Sequence, residues 1–265
     1  MAAFIPPKVS LDPTTGLGIR TLPALVDFHG ENNPQHLFCL QVKSDNRFVL
    51  VSYKRLQHAI VRCQGWLEEQ AIVLHPPIVD TDRHVKKCAP VAILMESHPG
   101  LAIFVLACMG KGIPVVLLSA RLSTPAVRHL IRETGAKLTL ISPRLQPLAS
   151  EAFPAAEDSK KEADEAENRV TIRLVARYEA LLEEEEAADA GRPATCTANP
   201  NHFVSEEDRQ VLMLYSSGTS GLPKPILCSH RYFLGYAICH SFSSDEEAHG
   251  LIISTPPFFH VSNKK

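Results

Sequence analysis

The chain has 265 residues, 45% of them hydrophobic, and a formal net charge of −2. That length accommodates one α/β domain or two smaller ones with a sizeable core, and the near-neutral charge speaks against a nucleic-acid binder. No apolar run approaches the roughly 20 residues that a membrane-spanning helix needs. The N-terminus MAAFIPPKVS lacks the charged and apolar regions of a signal peptide. The seven cysteines are odd in number, scattered and without a CxxC pair. They read as reduced thiols of a cytoplasmic protein.

In chain order, residues 1–20 are Pro- and Thr-rich without a period and read as a loose N-terminal arm ahead of one domain over 21–265. LPALVDFHG suggests a short helix. LFCLQV and RFVLVS flank SDN and suggest a hairpin. Leu56, Ile60, Cys63 and Leu67 recur on one stripe of an amphipathic helix. Then apolar strands alternate with helices. APVAILME is followed by a helix in SHPGLAIFVLACMGKG, with Ser97 as the expected N-cap and Pro99 in the first turn. IPVVLLS is followed by TPAVRHLIRETGA, capped by Ser123 or Thr124, and KLTLIS closes the series. This alternation predicts an α/β fold, with mostly parallel sheets flanked by helices. Such sheets bind ligands at the carboxyl ends of their strands.

Residues 151–190 hold 13 of the 29 Asp/Glu and 5 of the 27 Lys/Arg, leaving 16 acidic against 22 basic residues elsewhere. A mildly basic body suits a polyanionic small ligand. The segment from about 151 to 205 reads as an acidic, poorly ordered insertion, with VTIRLV a candidate strand, YEALL a helical start and GRPATCTANPN linker-like. The pattern resumes with the strand QVLMLY, the short extended PILCS and a helix in HRYFLGYAICHSF, and GLIIST reads as a further strand running into PPFFHVSN.

Between QVLMLY and PILCS stands the stretch SSGTSGLPK. A strand followed by a glycine- and hydroxyl-rich loop is suited to phosphate, because backbone N–H groups converge on an anion where glycine lets them approach. Ser216, Ser217, Thr219 and Ser220 are donors, Gly218 and Gly221 permit the turn, and Lys224 is the cation. A P-loop starting at Gly218 would need glycine at 223 and Ser/Thr at 225, and both are proline. GxGxxG is absent, and a nucleophile elbow would need glycine where Leu222 stands.

YSSGTSGLPKPILCSHRY resembles the signature of adenylate-forming enzymes: acyl-CoA synthetases, luciferases and adenylation domains of nonribosomal peptide synthetases. The Ser/Thr/Gly loop, Pro-Lys and the following His230 match that pattern, and PPFFHVSN resembles a second element with His260 at the histidine position. The strand–helix–strand run from Val91 to Ser119 and the hairpin and helix of 37–70 are similar to the front of the family fold. LPKPI is similar to fungal nonribosomal-peptide-synthetase-like reductases. The family usually has glycine after the lysine; here Pro225 stands there.

The resemblance implies ATP-dependent activation of a carboxylic acid as an acyl-adenylate, followed by transfer to a thiol of CoA or of a phosphopantetheine carrier. It implies ATP and Mg²⁺ as cofactors, with Ser216, Ser217, Gly218, Thr219, Ser220, Gly221, Lys224 and His230 binding the nucleotide. His260 and Lys224 are the implied catalytic residues, and no metal ligand is assigned. The family's later aromatic-Gly-x-Thr-Glu and Thr-Gly-Asp motifs and its lid lysine do not occur in these residues. The sequence therefore reads as an incomplete N-terminal region of the adenylate-forming fold, expected to be inactive alone and to need a downstream lid and carrier or reductase domains. A non-catalytic nucleotide-binding or regulatory module that keeps the phosphate loop is the alternative.

Overall fold

In the computed structural model, the described residues are 4–10, 18–43, 45–70, 90–153, 170–183, 195–197, 210–216 and 221–239. The expected GLIIST strand, the PPFFHVSN element and most of the acidic insertion lie outside them.

The core is a six-stranded sheet in the order β6-β5-β3-β4-β7-β8. Its strands are β3 (Val91–Leu94), β4 (Val115–Leu118), β5 (Leu138–Ile141), β6 (Thr171–Leu174), β7 (Gln210–Ser216) and β8 (Lys224–Ser229). The first five run parallel, and β8 pairs antiparallel with β7 at the edge. The fold expected from the alternation of strands and helices is thus present. The central strands VAIL and VVLL are buried throughout, because helices cover both faces and leave no polar side to the pleat.

Alternate strand residues feed two separate cores. Val91, Ile93, Val115, Leu117 and Leu140 join Leu56, Phe104 and Leu181 on one face. Ala92, Leu94, Val116, Leu118 and Ile141 join Val127, Leu130 and Ala149 on the other. The first face carries α1 (Leu22–Asn32), α2 (Tyr53–Glu69), α3 (Pro99–Gly110) and α6 (Tyr178–Leu182). The second carries α4 (Thr124–Thr134) and α5 (Gln146–Ala152). Helix α3 is apolar along its whole length because it lies among the sheet, α1 and α2. The expected stripe on α2 is wholly buried: Leu56, Ile60, Cys63 and Leu67 have no exposed surface. Each large side chain hidden in this way contributes about 1.5–3 kcal/mol.

Helix ends follow local chemistry. The Ser52 hydroxyl accepts from the Arg55 N–H at 3.2 Å and starts α2. The Thr21 hydroxyl does the same for α1, accepting from the Ala24 N–H at 3.2 Å. Gly135, at φ +69°, ends α4 in the left-handed region. The N-cap of α3 is His98 rather than Ser97, and it makes no capping bond. Its ring stacks on Tyr178 with centroids 4.4 Å apart, so packing against α6 sets its place. Ser123 is the N-cap of α4, also without a side-chain bond.

Two stretches expected to be loose are tied down where they are described. In the N-terminal arm, the Asn33 side chain accepts from the Ile5 N–H and donates to the Ile5 carbonyl, both at 2.7 Å. Phe4 stacks on His29 with centroids 5.5 Å apart, and Val9 bridges Ile19. Within the acidic insertion, β6 adds to the sheet edge beside β5. Helix α6 buries Tyr178, Leu181 and Leu182. Arg55 and Arg62 of α2 donate to the Leu182 and Leu181 carbonyls at 3.0 and 2.7 Å. The hairpin of β1 (Leu37–Val42) and β2 (Phe48–Ser52) forms as expected. Among the described residues no helix is long and apolar enough to cross a membrane.

Candidate nucleotide-phosphate site

Parallel strands place their carboxyl ends along one rim. Chain leaving β3 there passes Glu96 and His98, chain leaving β4 passes Ser119 and Arg121, and chain leaving β5 passes Ser142. Ser119 and Ser142 are buried. The Ser142 hydroxyl donates to the Glu96 carboxylate at 2.5 Å, while the Ser119 hydroxyl accepts from the Arg121 N–H at 3.0 Å. Helix α3 returns over one face of the sheet and α4 over the other. The loops after β3 and β4 therefore part and leave a crevice where such sheets bind ligands.

Strand β7 delivers the glycine- and hydroxyl-rich loop to that rim. Ser216 is its last residue, and Lys224, the first of β8, is the direct cross-strand partner of Ser216. Directly opposed residues of an antiparallel pair put their side chains on one face. By the alternation along β7, that face is the one carrying Leu212 and Leu214, towards α1–α3. Ser216 and Lys224 are both exposed, and among the described residues the Lys224 ammonium makes no hydrogen bond or ion pair.

Gly221 turns the chain at φ +96°, and among the described residues nothing lies within 4 Å of the Cβ it lacks. Its glycine is required by backbone conformation and not by space. Ser217, Gly218, Thr219 and Ser220 lie between the two described ends of the loop and outside the described residues, as does His260.

His230 opens α7 (His230–Cys239) and is buried at 1% exposure. Its Nδ1 accepts from the Leu22 N–H at 3.3 Å, across 208 residues. The Ser229 hydroxyl accepts from the Tyr232 N–H at 3.1 Å and fixes the helix start. The length of β8 separates lysine from histidine: Lys224 opposes Ser216 at the loop, while Ser229, next to His230, opposes Gln210 at the other end of β7. The structure therefore does not bring His230 to the loop, and the histidine points into the junction with α1.

A serine hydroxyl, an ammonium and a glycine-permitted turn make a donor set that fits the oxygens of a polyphosphate. The stretch from Gln210 to Ser229 contains no Asp or Glu, and among the described residues no three His, Cys, Asp or Glu gather as a metal-binding group. A magnesium ion at this hairpin would be held through phosphate oxygens.

A model of the AMP-binding enzyme family matches residues 81–263. The chain belongs to that family. It is 40% identical over 257 residues to an adenylate-forming reductase of Aspergillus terreus, covering 94% of this chain and 23% of that protein. It is 33% identical over 242 residues to the adenylate-forming reductase stbB of Stachybotrys bisbyi, covering 91% of this chain and 21% of that one. This AMP-binding chain therefore spans less than a quarter of the length of these relatives. Its fold is similar to the N-terminal domain of FACL13 from Mycobacterium tuberculosis, with a TM-score of 0.55 at 18% identity over 80% of this chain and 45% of that one. A luciferase-like enzyme from the mealworm Zophobas morio gives a TM-score of 0.54 at 16% identity over 88% and 47%.

Sequence reasoning missed a buried polar cluster, which packs at the C-terminal end of α3 and apart from the loop. Asp27 of α1 accepts from the Cys196 N–H at 2.7 Å, the Thr197 N–H at 3.1 Å, the Thr195 hydroxyl at 2.9 Å and the Gln57 amide at 3.1 Å. Its fifth donor is the Thr197 hydroxyl, at 2.5 Å. Burial pushes the Asp27 carboxyl up, and the donors from Cys196, Thr197, Gln57 and Thr195 outweigh it, holding the group below its ordinary value. The stretch TCT, linker-like by composition, is thereby fixed into the junction of α1, α2 and α3. The only linear signal was Cys196 itself, apolar enough to bury.

Proposed function

We propose that this chain carries the phosphate-gripping portion of an enzyme that activates a carboxylic acid as an acyl-adenylate and passes it to a thiol, either CoA or a phosphopantetheine carrier. The reading is supported above all by the cross-strand pair of Ser216 and Lys224, at the rim of a parallel sheet in an AMP-binding family member. ATP, when bound with Mg²⁺, supplies the adenylyl group that joins the carboxylate as pyrophosphate leaves.

In this proposal the residues of the chain mostly position and neutralise, since positioned donors and charges carry most of such catalysis. Ser216, Ser217, Thr219 and Ser220 donate to phosphate oxygens. Gly218 and Gly221 let the backbone approach, and Lys224 holds the outer phosphates. His230, at the other end of β8 from the loop, anchors the hairpin and α7 to α1 through its bond to Leu22. His260 sits beside the carboxylate of the acid. Further domains of the kind that make the relatives longer supply the lid and the thiol acceptor. Residues 1–265 by themselves grip phosphate without turning over, because the family's Thr-Glu and Thr-Gly-Asp motifs and its lid lysine do not occur in them.

The test is ATP–pyrophosphate exchange by the intact protein across a panel of carboxylic acids. Acid-dependent exchange that falls at least a hundredfold in Lys224→Ala is expected, by analogy with losing one oxyanion donor (about 10²–10³). ATP binding without exchange for any acid would instead favour a regulatory nucleotide-binding module. Exchange unchanged in Lys224→Ala would remove the phosphate role of the loop.

A further inference from the structure

Pro225 replaces the glycine that the loop's resemblance leads one to expect, and the strand register gives it a task. An antiparallel pair alternates between opposed residues that exchange both backbone hydrogen bonds and opposed residues that exchange none. Leu214 faces Ile226, Tyr215 faces Pro225 and Ser216 faces Lys224 without a shift. If Ser216 and Lys224 were a non-bonded pair, Tyr215 and Pro225 would be the bonded one, and the ladder would need an N–H from Pro225, which has none. Ser216 and Lys224 are therefore the bonded pair, with Cα atoms about 5.5 Å apart. Pro225 falls in the non-bonded register, where the ladder requires no donor from it. Lys224 owns the single backbone N–H among residues 223–225, and that donor is committed to the Ser216 carbonyl.

Two restraints then act on Lys224. A residue preceding proline is pushed out of the helical region into extended backbone, and the bond to Ser216 holds that extended peptide in register. Pro223, buried just before it, has its own φ fixed. The same two prolines leave the outer edge of β8 without donors beside Lys224, so no further strand can pair there.

We propose that Pro225 is a positioning residue for Lys224. It confines the lysine backbone to the conformation that projects the ammonium on the Ser216 face, before any phosphate arrives. This inference rests on the phosphate role of the loop proposed above. Pre-ordering of this kind reduces what binding must order.

The experiment is a double-mutant cycle in the intact protein, reading binding of magnesium pyrophosphate by calorimetry and the KM for ATP in exchange. Relaxing one proline-restrained position should weaken pyrophosphate binding about two- to fivefold in Pro225→Ala. KM should rise by a similar factor while kcat changes less. Pro225→Val, which keeps strand preference at 225 but frees Lys224, should behave alike and serves if the alanine variant folds poorly. In a Lys224→Ala background the Pro225 substitution should add nothing, since its effect passes through the lysine. Equal weakening in both backgrounds, or a drop in thermal midpoint with no change in binding, would overturn the positioning role and leave the phosphate site standing. Pyrophosphate binding unchanged in Lys224→Ala would instead overturn the phosphate reading and this inference with it.

Discussion

Ser216 and Lys224 stand directly opposite each other across the β7–β8 hairpin, the last residue of one strand against the first of the next. Seven residues of sequence close the loop between them, so both loop ends are set by the sheet. A loop anchored in this way loses less entropy on gripping an anion than one that must first find its own ends.

Gly221→Ala isolates the conformational part of that arrangement. No atom of the described residues lies near the new methyl, yet φ is +96°. The cost is backbone strain of about 1–3 kcal/mol. ATP binding by calorimetry should weaken about tenfold or more, with the fold intact by circular dichroism. Unaltered affinity would mean that the turn adopts another conformation when it binds.

Asp27 makes stability depend on acid. Its carboxyl titrates lower in the folded protein than its ordinary 3.8. The folded state therefore gains stability above the unfolded value and loses it as pH falls through the folded one. Urea midpoints should fall below about pH 4 in the parent, and that limb should flatten in Asp27→Asn. At neutral pH the substitution should cost ~2–3 kcal/mol, as expected when hydrogen bonds to a charged group are lost. An unchanged acid limb would show that another carboxylate governs it.

Gly110→Ala tests the seat of residues 195–197. A Cβ at 110 would lie 2.0 Å from the Cys196 carbonyl oxygen and 2.4 Å from the Gln64 amide nitrogen. That amide donates to the same carbonyl at 2.9 Å. Because the obstacle is backbone, relief requires the segment to move. A loss of about 1–3 kcal/mol in chemical denaturation is expected. Cleavage by a protease near Cys196 should accelerate in step with that loss, and unaltered cleavage would count against the docking.

The thiols should divide by burial. Burial pushes Cys108 up to about 12 and Cys39 up to about 11, and raises Cys63 well above its ordinary value. In Cys196 burial acts first and the nearby Asp27 charge adds to it. Cys239 is exposed. Mass spectrometry after brief iodoacetamide treatment at neutral pH should find Cys239 modified, and Cys63, Cys108 and Cys196 intact until denaturant is added. Early labelling of Cys63 or Cys108 would show that the packing around α2 and α3 opens.

Much of the fold was legible because its signals are local. VAIL and VVLL are apolar throughout, so they announce strands covered on both faces. The α2 stripe has the helical period, and Gly135 ends α4 by its tolerance of the left-handed region. Ser97 misled as a cap because the competing contact, His98 stacked on Tyr178, joins residues 80 positions apart. The docking of the arm through Asn33 and of TCT through Asp27 was hidden for the same reason: a polar side chain gives no hint of a partner far along the chain.

The sequence by itself determined the alternation of strands and helices, the chemistry of SSGTSGLPK and the family it signals, since these depend on residue type and short spacing. Only the tertiary structure decided that β8 turns back antiparallel to face Lys224 towards Ser216, that His230 is spent on the junction with α1, and that Asp27 gathers a distant segment. Those are register and packing outcomes, fixed by which apolar faces could be buried together.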